Sequence, residues 1–175
     1  MPVRTLFAPA RVFAVWLLAA WAGGCAYYSF TGASIPSHLR TIAIPLAEDR
    51  SVSTVTALDE QLTRLLIDRF VGQTRLVLEP DPESADAVLT ATIDRYANAP
   101  TAVGAEERTT RNRVTITVTV VYEDRVEGRE LLRRSFQGFD EYDPVADGLA
   151  GEETAALAAL EKIADDIFTA ATSNW

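Results

Sequence analysis

The sequence has 175 residues, enough for one domain, and carries 25 acidic against 16 basic residues, for a formal charge of −9. Residues 25–175 keep every carboxylate but only 14 of those basic residues, so this part has a formal charge of −11. This balance argues against a general nucleic-acid binder, which needs a net basic surface.

The first 24 residues have the pattern of an export signal. Arg4 and Arg11 give a positive start, 12–21 is an uncharged apolar run, and 22–24 are small residues typical of a cleavage region. The apolar run has only ten residues, whereas a membrane-spanning helix needs about 20. We therefore predict a signal peptide over 1–24, cleaved between Gly24 and Cys25.

Cys25 is the only cysteine in the chain and directly follows the cleavage region. Small residues followed by cysteine resemble the lipobox of bacterial lipoproteins, although that pattern has a branched aliphatic residue where this chain has Ala22. The resemblance implies a thioether-linked diacylglycerol on Cys25, with two or three acyl chains in all, which anchor firmly where one chain binds only marginally. The alternative is an ordinary signal peptide with an incidental thiol. Lipoproteins retained in the inner membrane often have aspartate after the cysteine, so Ala26 favours the outer membrane.

The mature chain is expected to begin with a lipidated tether over 25–38. Tyr27, Tyr28 and Phe30 lie there among small and polar residues. They are expected either to pin the tether to the domain or to lie on a barrel or membrane surface.

The pattern of 40–46 predicts a first strand. Pro45 either places this strand at a sheet edge or ends it. Its inward face would carry Ile42, Ile44 and Leu46, and 48–51 predicts a turn. A helix is predicted over 54–71, capped by Ser53 or Thr54 and stopped by Gly72. Its apolar stripe has helical spacing and comprises Leu58, Leu62, Leu65, Leu66 and Phe70.

Four further strands and a second helix follow. The clearest pattern is the period-two alternation of 108–124, which predicts an antiparallel strand with one buried face and Thr115, Thr117 and Thr119 on the other. The remaining predicted elements are a short strand at 74–79, strands at 87–97 and 130–139, loops at 98–107 and 140–151, and a helix at 152–172.

The predicted order is β-α-β-β-β-β-α. Two amphipathic helices each need an apolar sheet face, and alternating strands offer one such face. We predict an α+β two-layer sandwich over 39–175, in which both helices cover one face of a mostly antiparallel sheet of four to five strands.

The sequence offers little for catalysis or cofactor binding. His38 is the only histidine, and the pattern around it is that of a solvated loop histidine. The sequence has no second histidine or free cysteine to join it, no phosphate-binding glycine loop, no Gly-x-Ser-x-Gly nucleophile elbow and no His/Cys metal motif. We therefore expect no enzyme activity, no cofactor and no metal.

Basic residues are concentrated on the strands at 108–139. Arginine suits bidentate contacts with phosphate or carboxylate, so these side chains are candidates for contact with lipopolysaccharide. The alternative is ordinary pairing with neighbouring Asp and Glu. The candidates are Arg108, Arg111, Arg113, Arg125, Arg129, Arg133 and Arg134.

Three segments together resemble LptE-type lipopolysaccharide-assembly lipoproteins. They are the mature start at 25–36, the strand and helix at 40–65, and the ending at 166–175 with its terminal Trp175. The order of predicted elements agrees with that family. Only Cys25 matches a functional position of the family, and the arginines are not carried over from it.

The resemblance implies a non-enzymatic outer-membrane lipoprotein. Such a protein partners and plugs an LptD-type β-barrel and assists lipopolysaccharide transport and outer-membrane assembly. A second interpretation is an interaction lipoprotein of another envelope machine, of the curli-secretion or pilus-assembly type. The barrel that co-purifies would distinguish the two.

Overall fold

In the computed structural model, which describes residues 35–101 and 111–173, two helices cover one face of a mixed sheet of six strands. The strands are β1 (Thr41–Ala43), β2 (Glu48–Asp49), β3 (Val77–Leu78), β4 (Ala87–Thr101), β5 (Arg111–Asp124) and β6 (Arg129–Tyr142). The helices are α1 (Leu58–Gly72) and α2 (Gly148–Ser173). The predicted α+β fold class is confirmed.

The sheet has a short parallel part and a long antiparallel part. Its order is β3-β1-β4-β5-β6, and β2 pairs with β4 beyond the end of β1. The pairs β1–β3, β1–β4 and β2–β4 are parallel, whereas β4–β5 and β5–β6 are antiparallel. Helix α1 is thus the crossover between the parallel strands β1 and β3, as parallel pairing requires.

The alternation of β5 positions the core as predicted. Val114, Ile116, Val118 and Val120 are fully buried, whereas the intervening Thr115, Thr117 and Thr119 are partly exposed. The apolar stripes of both helices pack on the buried face. Phe70 of α1 contacts Tyr122 of β5 and Phe168 of α2 in edge-to-face geometry, with ring centroids 5.9 and 5.4 Å apart.

The predictions for the first strand were partly wrong. Of the two alternatives for Pro45, the second is confirmed: β1 ends at Ala43, before Pro45. It is not an edge strand, because it lies between β3 and β4. The chain leaves the period-two pattern there, so Leu46 is 62% exposed and Ala47 is buried instead. The predicted turn at 48–51 begins with β2, whose Glu48 and Asp49 pair with Thr92 and Ile93.

Helix α1 begins later than predicted because neither proposed cap is used. The Ser53 hydroxyl accepts the N–H of Val55 at 2.9 Å, and the Thr54 hydroxyl donates to Glu152 of α2. The helix instead follows Ala57 in the left-handed conformation, at φ 60°.

The other long elements extend further than predicted. β4 continues to Thr101, into the expected loop at 98–107, and β6 continues through Asp140 and Glu141 to Tyr142. Helix α2 begins at Gly148 rather than 152, after a turn in which the Asp143 carboxylate accepts the N–H groups of Val145 and Ala146.

Helix α2 lies unusually close to the sheet at Gly138 of β6. A Cβ at this position would lie 2.4 Å from the backbone oxygen of Ala159 and 2.8 Å from Cγ1 of Ile163. Backbone cannot yield as a flexible side chain can, so glycine is the residue that permits this contact.

Gly138→Ala is therefore expected to lower the free energy of unfolding by about 1–3 kcal/mol, the usual cost of overpacking a core. Urea denaturation followed by circular dichroism measures this change. Gly72→Ala is the matched control, since nothing lies within 4 Å of a Cβ there. Equal stability of the two variants would contradict the close approach.

Candidate functional site

The face of the sheet opposite the helices is a polar surface formed by the three long strands. The register places Thr92, Thr119 and Ser135 side by side, and Arg95, Thr117 and Gln137 in the next row. These side chains are exposed or partly exposed. We call this surface the outer face; it comprises Thr90, Thr92, Arg95, Thr115, Thr117, Thr119, Val121, Arg133, Ser135, Gln137 and Phe139.

The outer face is rich in hydroxyl and amide groups and poor in large apolar groups. The Thr119 hydroxyl donates to Asp94, at the bulge of β4, over 2.5 Å. Phe139 is the large apolar exception, at 49% exposed, and Arg113 stacks on it with its guanidinium carbon 4.5 Å from the ring centroid. The outer face therefore offers hydrogen bonds to a partner rather than an apolar patch.

The candidate arginines do not form one patch. Arg111 and Arg113 begin β5, whereas Arg125 and Arg129 lie at the β5–β6 turn at its other end, about 43 Å away at the usual rise of a strand. Arg133 and Arg134 follow that turn on opposite faces of β6. Arg108 lies outside the described residues, as do Gly24 and Cys25.

Three of the six described candidates pair with carboxylates. Arg113 donates to Glu141 through two nitrogens at 3.0 and 2.6 Å. Arg129 lies 2.9 Å from Glu127, and Arg133 lies 2.6 Å from Glu130. Arg134 instead lies 5.4 Å from the ring centroid of Phe136. Ordinary ion pairing, the predicted alternative, accounts for these three arginines.

The prediction for His38 was wrong: it is not a solvated loop histidine. Its Nε2 lies 2.7 Å from Oδ2 of Asp124, whose side chain is fully buried. The Asp124 carboxylate also accepts the N–H of Glu127 at 2.9 Å, and Arg129 lies 3.6 Å from it. Burial raises the pKa of Asp124, but the Glu127 N–H and His38 outweigh it and hold the pKa below its usual range.

His38, Asp124 and Glu127 also have ligand atoms within 4.8 Å of one another. This spacing is compatible with a metal ion. However, Arg129 pairs with both carboxylates, so a cationic group already serves the two acidic members. We interpret the group as an ion-pair cluster.

A second buried carboxylate lies at the other end of the sheet. Glu152 of α2 is 7% exposed, and its Oε1 accepts hydrogen bonds from Thr54 at 2.5 Å and Tyr96 at 2.6 Å. Tyr142 lies 3.4 Å from Oε2 and in turn accepts an N–H of Asn98 at 2.7 Å. Burial raises the pKa of Glu152, but these hydrogen bonds lower it by a larger amount. The pKa therefore lies below its ordinary value.

The periodicity of the sequence indicates that both carboxylates are buried, although their residue type does not. Asp124 continues the buried parity of β5 two residues after Tyr122, and Glu152 lies eight residues before Leu160 on the buried stripe of α2. Both residues therefore occupy positions that periodicity assigns to the core. Acidic residues are rarely fully buried unless they are paired, so residue type alone indicates exposed positions.

Solved structures share this two-layer α+β fold at low sequence identity. A hypothetical protein from Chlamydia trachomatis is 11% identical, with a TM-score of 0.52 over 78% of this chain and 99% of that one. A protein from Xanthomonas campestris is 11% identical, with a TM-score of 0.54 over 79% and 90%. A minor lipoprotein from Acinetobacter baumannii is 17% identical, with a TM-score of 0.47 over 79% and 95%. The first two likenesses show the fold alone.

The family is shown by sequence. Residues 39–171 match the family model LptE, described as lipopolysaccharide-assembly. The chain therefore belongs to the LptE family, as its sequence motifs predicted, and family membership implies a role in lipopolysaccharide assembly. No curated protein matches the chain. Neither described helix is long and apolar enough to span a membrane.

Acid should destabilise the domain partly through Glu152. The pKa of Glu152 is lowered, and so are the pKa values of Asp86 and Asp124. A carboxylate with a lowered folded-state pKa stabilises the protein above its unfolded-state pKa of about 4–4.5 and loses that contribution as the pH falls through the folded-state value. The urea midpoint should hold from neutral pH to about pH 5 and then fall.

Glu152→Gln should lower stability at neutral pH and make the acid loss shallower, because one of the titrating groups is gone. Glu153→Gln is the matched control, since the side chain of Glu153, the next residue in the chain, is exposed. Urea denaturation at several pH values makes the comparison. An acid loss equally steep in Glu152→Gln and in the wild type would show that the hydrogen-bonded carboxylate does not contribute.

Proposed function

We propose that this chain is an outer-membrane lipoprotein, acylated at Cys25, that docks inside an LptD-type β-barrel and assists lipopolysaccharide transport to the cell surface. Membership of the LptE family supports the process. The observation that supports docking is the outer face, a broad polar surface on the side of the sheet opposite the helices.

The chemistry of the outer face suits a barrel lumen. Inward-facing residues of outer-membrane barrels are polar, and the largest barrels hold a plug domain in the lumen. A partner surface of this kind can exchange hydrogen bonds with the threonine hydroxyls of β4 and β5. An apolar plug surface would gain nothing from such a wall.

The acyl anchor adds to this affinity without adding a contact. Two or three chains hold the protein at the membrane that contains the barrel, which raises its effective concentration there. Of the candidate arginines that the structure describes, the three without an ion pair retain their proposed role in lipopolysaccharide contact. Arg111, Arg125 and Arg134 are the most available, since among the described residues no carboxylate lies within salt-bridge distance of them.

Thr117→Trp should reduce co-purification of the barrel, because a bulky side chain at the centre of the outer face would hold the two surfaces apart. Tryptophan is favourable in strands, so the urea midpoint should change little. Glu161→Trp, on the exposed side of α2, is the matched control and should retain the barrel.

The measurement is affinity purification from native outer membranes in mild detergent, with partners identified by mass spectrometry. Equal recovery of the barrel with both variants would remove the outer face as the docking surface. Recovery of a curli-type or pilus-type secretion barrel instead would replace the proposed function by that of another envelope machine.

A further inference from the structure

Strand β6 is the long edge of the sheet. It runs over 14 residues, Arg129–Tyr142, and pairs with β5 on one side only. The strand at the opposite edge, β3, has two residues. An edge strand presents unpaired N–H and C=O groups to which another strand can pair. Within the described fold, β6 is therefore the strand best suited to accept one.

One hydrogen bond shows which backbone groups of β6 point away from β5. Nζ of Lys162, on α2, donates to the carbonyl oxygen of Phe139 at 2.9 Å. A lysine can reach this oxygen only at the free edge, because a carbonyl turned toward β5 takes part in the ladder. Backbone groups of a strand alternate in direction with period two. The residues whose groups point outward are therefore Arg133, Ser135, Gln137, Phe139 and Glu141. Among the described residues, only Lys162 hydrogen-bonds to one of these groups.

The charges of β6 make the strand complementary to a second copy of itself. Arg133 and Arg134 lie four and three positions before Gln137, and Asp140 and Glu141 lie three and four positions after it. An antiparallel pair with its two-fold axis at Gln137 thus places Arg133 opposite Glu141 of the second copy, and Arg134 opposite Asp140. The symmetry repeats both contacts, which gives four pairs of opposite charge. Such cross-strand pairs are favourable, whereas like charges directly opposite each other are unfavourable.

The backbone of β6 permits this register. Each residue with outward groups then faces another residue with outward groups, as the hydrogen-bonded pairs of an antiparallel ladder require. Moving the axis to 136 places Arg133 opposite Phe139, and moving it to 138 places Arg134 opposite Tyr142. Of these three registers, only the one centred on Gln137 places both arginines opposite carboxylates.

The contacts that β6 already makes leave this pairing possible but keep it reversible. Glu130 lies 2.6 Å from Arg133, and Arg113 lies 2.6 Å from Glu141. Both ion pairs are at least partly exposed, and exposed pairs contribute little. Lys162 covers one outward carbonyl, and lysine at an edge is a common means of limiting strand addition. A second strand therefore has to displace one flexible side chain.

We propose that β6 pairs with β6 of a second copy of this chain, antiparallel and centred on Gln137, and so forms a symmetric dimer with one continuous sheet. The contact is isologous, as interfaces on a two-fold axis are. The axis is perpendicular to the sheet, so the helices of both copies lie on one side and both outer faces on the other. This inference goes beyond the proposed function and rests neither on acylation of Cys25 nor on the barrel.

Disulfide formation at the two-fold axis tests the contact. In the full chain, purified in mild detergent, Gln137→Cys places the two introduced cysteines opposite each other. Their Cα atoms would lie about 5.5 Å apart, within the range that a disulfide spans. Thr117→Cys is the matched control, because Thr117 lies beside Gln137 in the same row of the outer face, but the two copies of this position are about 14 Å apart, three strand spacings. Oxidation should give several-fold more cross-linked dimer at 137 than at 117.

The disulfide is assigned by mass spectrometry of proteolytic fragments. This step separates failure of the inference from failure of the proposed function. A disulfide through Cys25 would contradict the acylation of that residue, whereas the yield of the bond between the two copies of position 137 would still measure the pairing of β6.

Charge reversal tests the register. In the Gln137→Cys chain, Arg134→Glu should lower the dimer yield about ten-fold, because it creates two contacts of like charge across the axis. Asp140→Arg should have the same effect. A mixture of the two variants should recover the yield, since in the mixed dimer each introduced charge faces its opposite, and recovery shows that both variants are folded. Arg125→Glu, which makes the same change of charge outside β6, is the matched control and should leave the yield intact.

Sedimentation velocity in density-matched detergent measures the mass of the wild-type chain without any introduced cysteine. A chain that stays monomeric at every concentration would overturn the proposal, as would equal cross-linking at 137 and 117. A mixture of the two charge variants that is no more dimeric than either variant alone would also overturn it. Oxidation in native membranes that joins position 137 only to another protein would assign the edge to that partner instead.

Discussion

The alternation of side chains along β5 is the constraint on which both surfaces of the sheet depend. Val114, Ile116, Val118 and Val120 all turn toward the helices, so the residues between them must turn away. A slip of one residue would exchange the two sets. Antiparallel pairing with β4 and β6 extends the same division across three strands, and the polar outer face is its direct consequence.

Two buried carboxylates join the ends of this sheet to segments outside it. Asp124 holds the segment 35–39 through His38 at one end, and Glu152 joins α2 to β4 and to the segment before α1 at the other. A buried charge is tolerated only where it is paired or hydrogen-bonded, and removing its partners leaves it uncompensated. Both ends are thus fixed by polar contacts, while the middle is held by apolar packing.

The sequence was most informative where a period was long and unbroken. The alternation of β5 and the stripes of both helices predicted the fold class and the helix-covered face, and short motifs predicted the family. The predictions that failed concern residues whose contacts are with partners distant in the sequence. Thr54 does not cap α1, because its hydroxyl donates a hydrogen bond to Glu152, which is distant in sequence. His38 was misjudged because its partner lies 86 positions away, a separation that no spacing rule covers.

Site-specific photocrosslinking in intact cells tests the docking of the outer face most directly. A photoreactive amino acid replaces Gln137, which is exposed on the outer face, or Glu161, which is exposed on α2. Docking of the outer face predicts that position 137 yields an adduct with an LptD-type barrel, identified by mass spectrometry, and that position 161 yields much less of that adduct. Barrel adducts from position 161 alone, or adducts of position 137 with an unrelated protein, would contradict it.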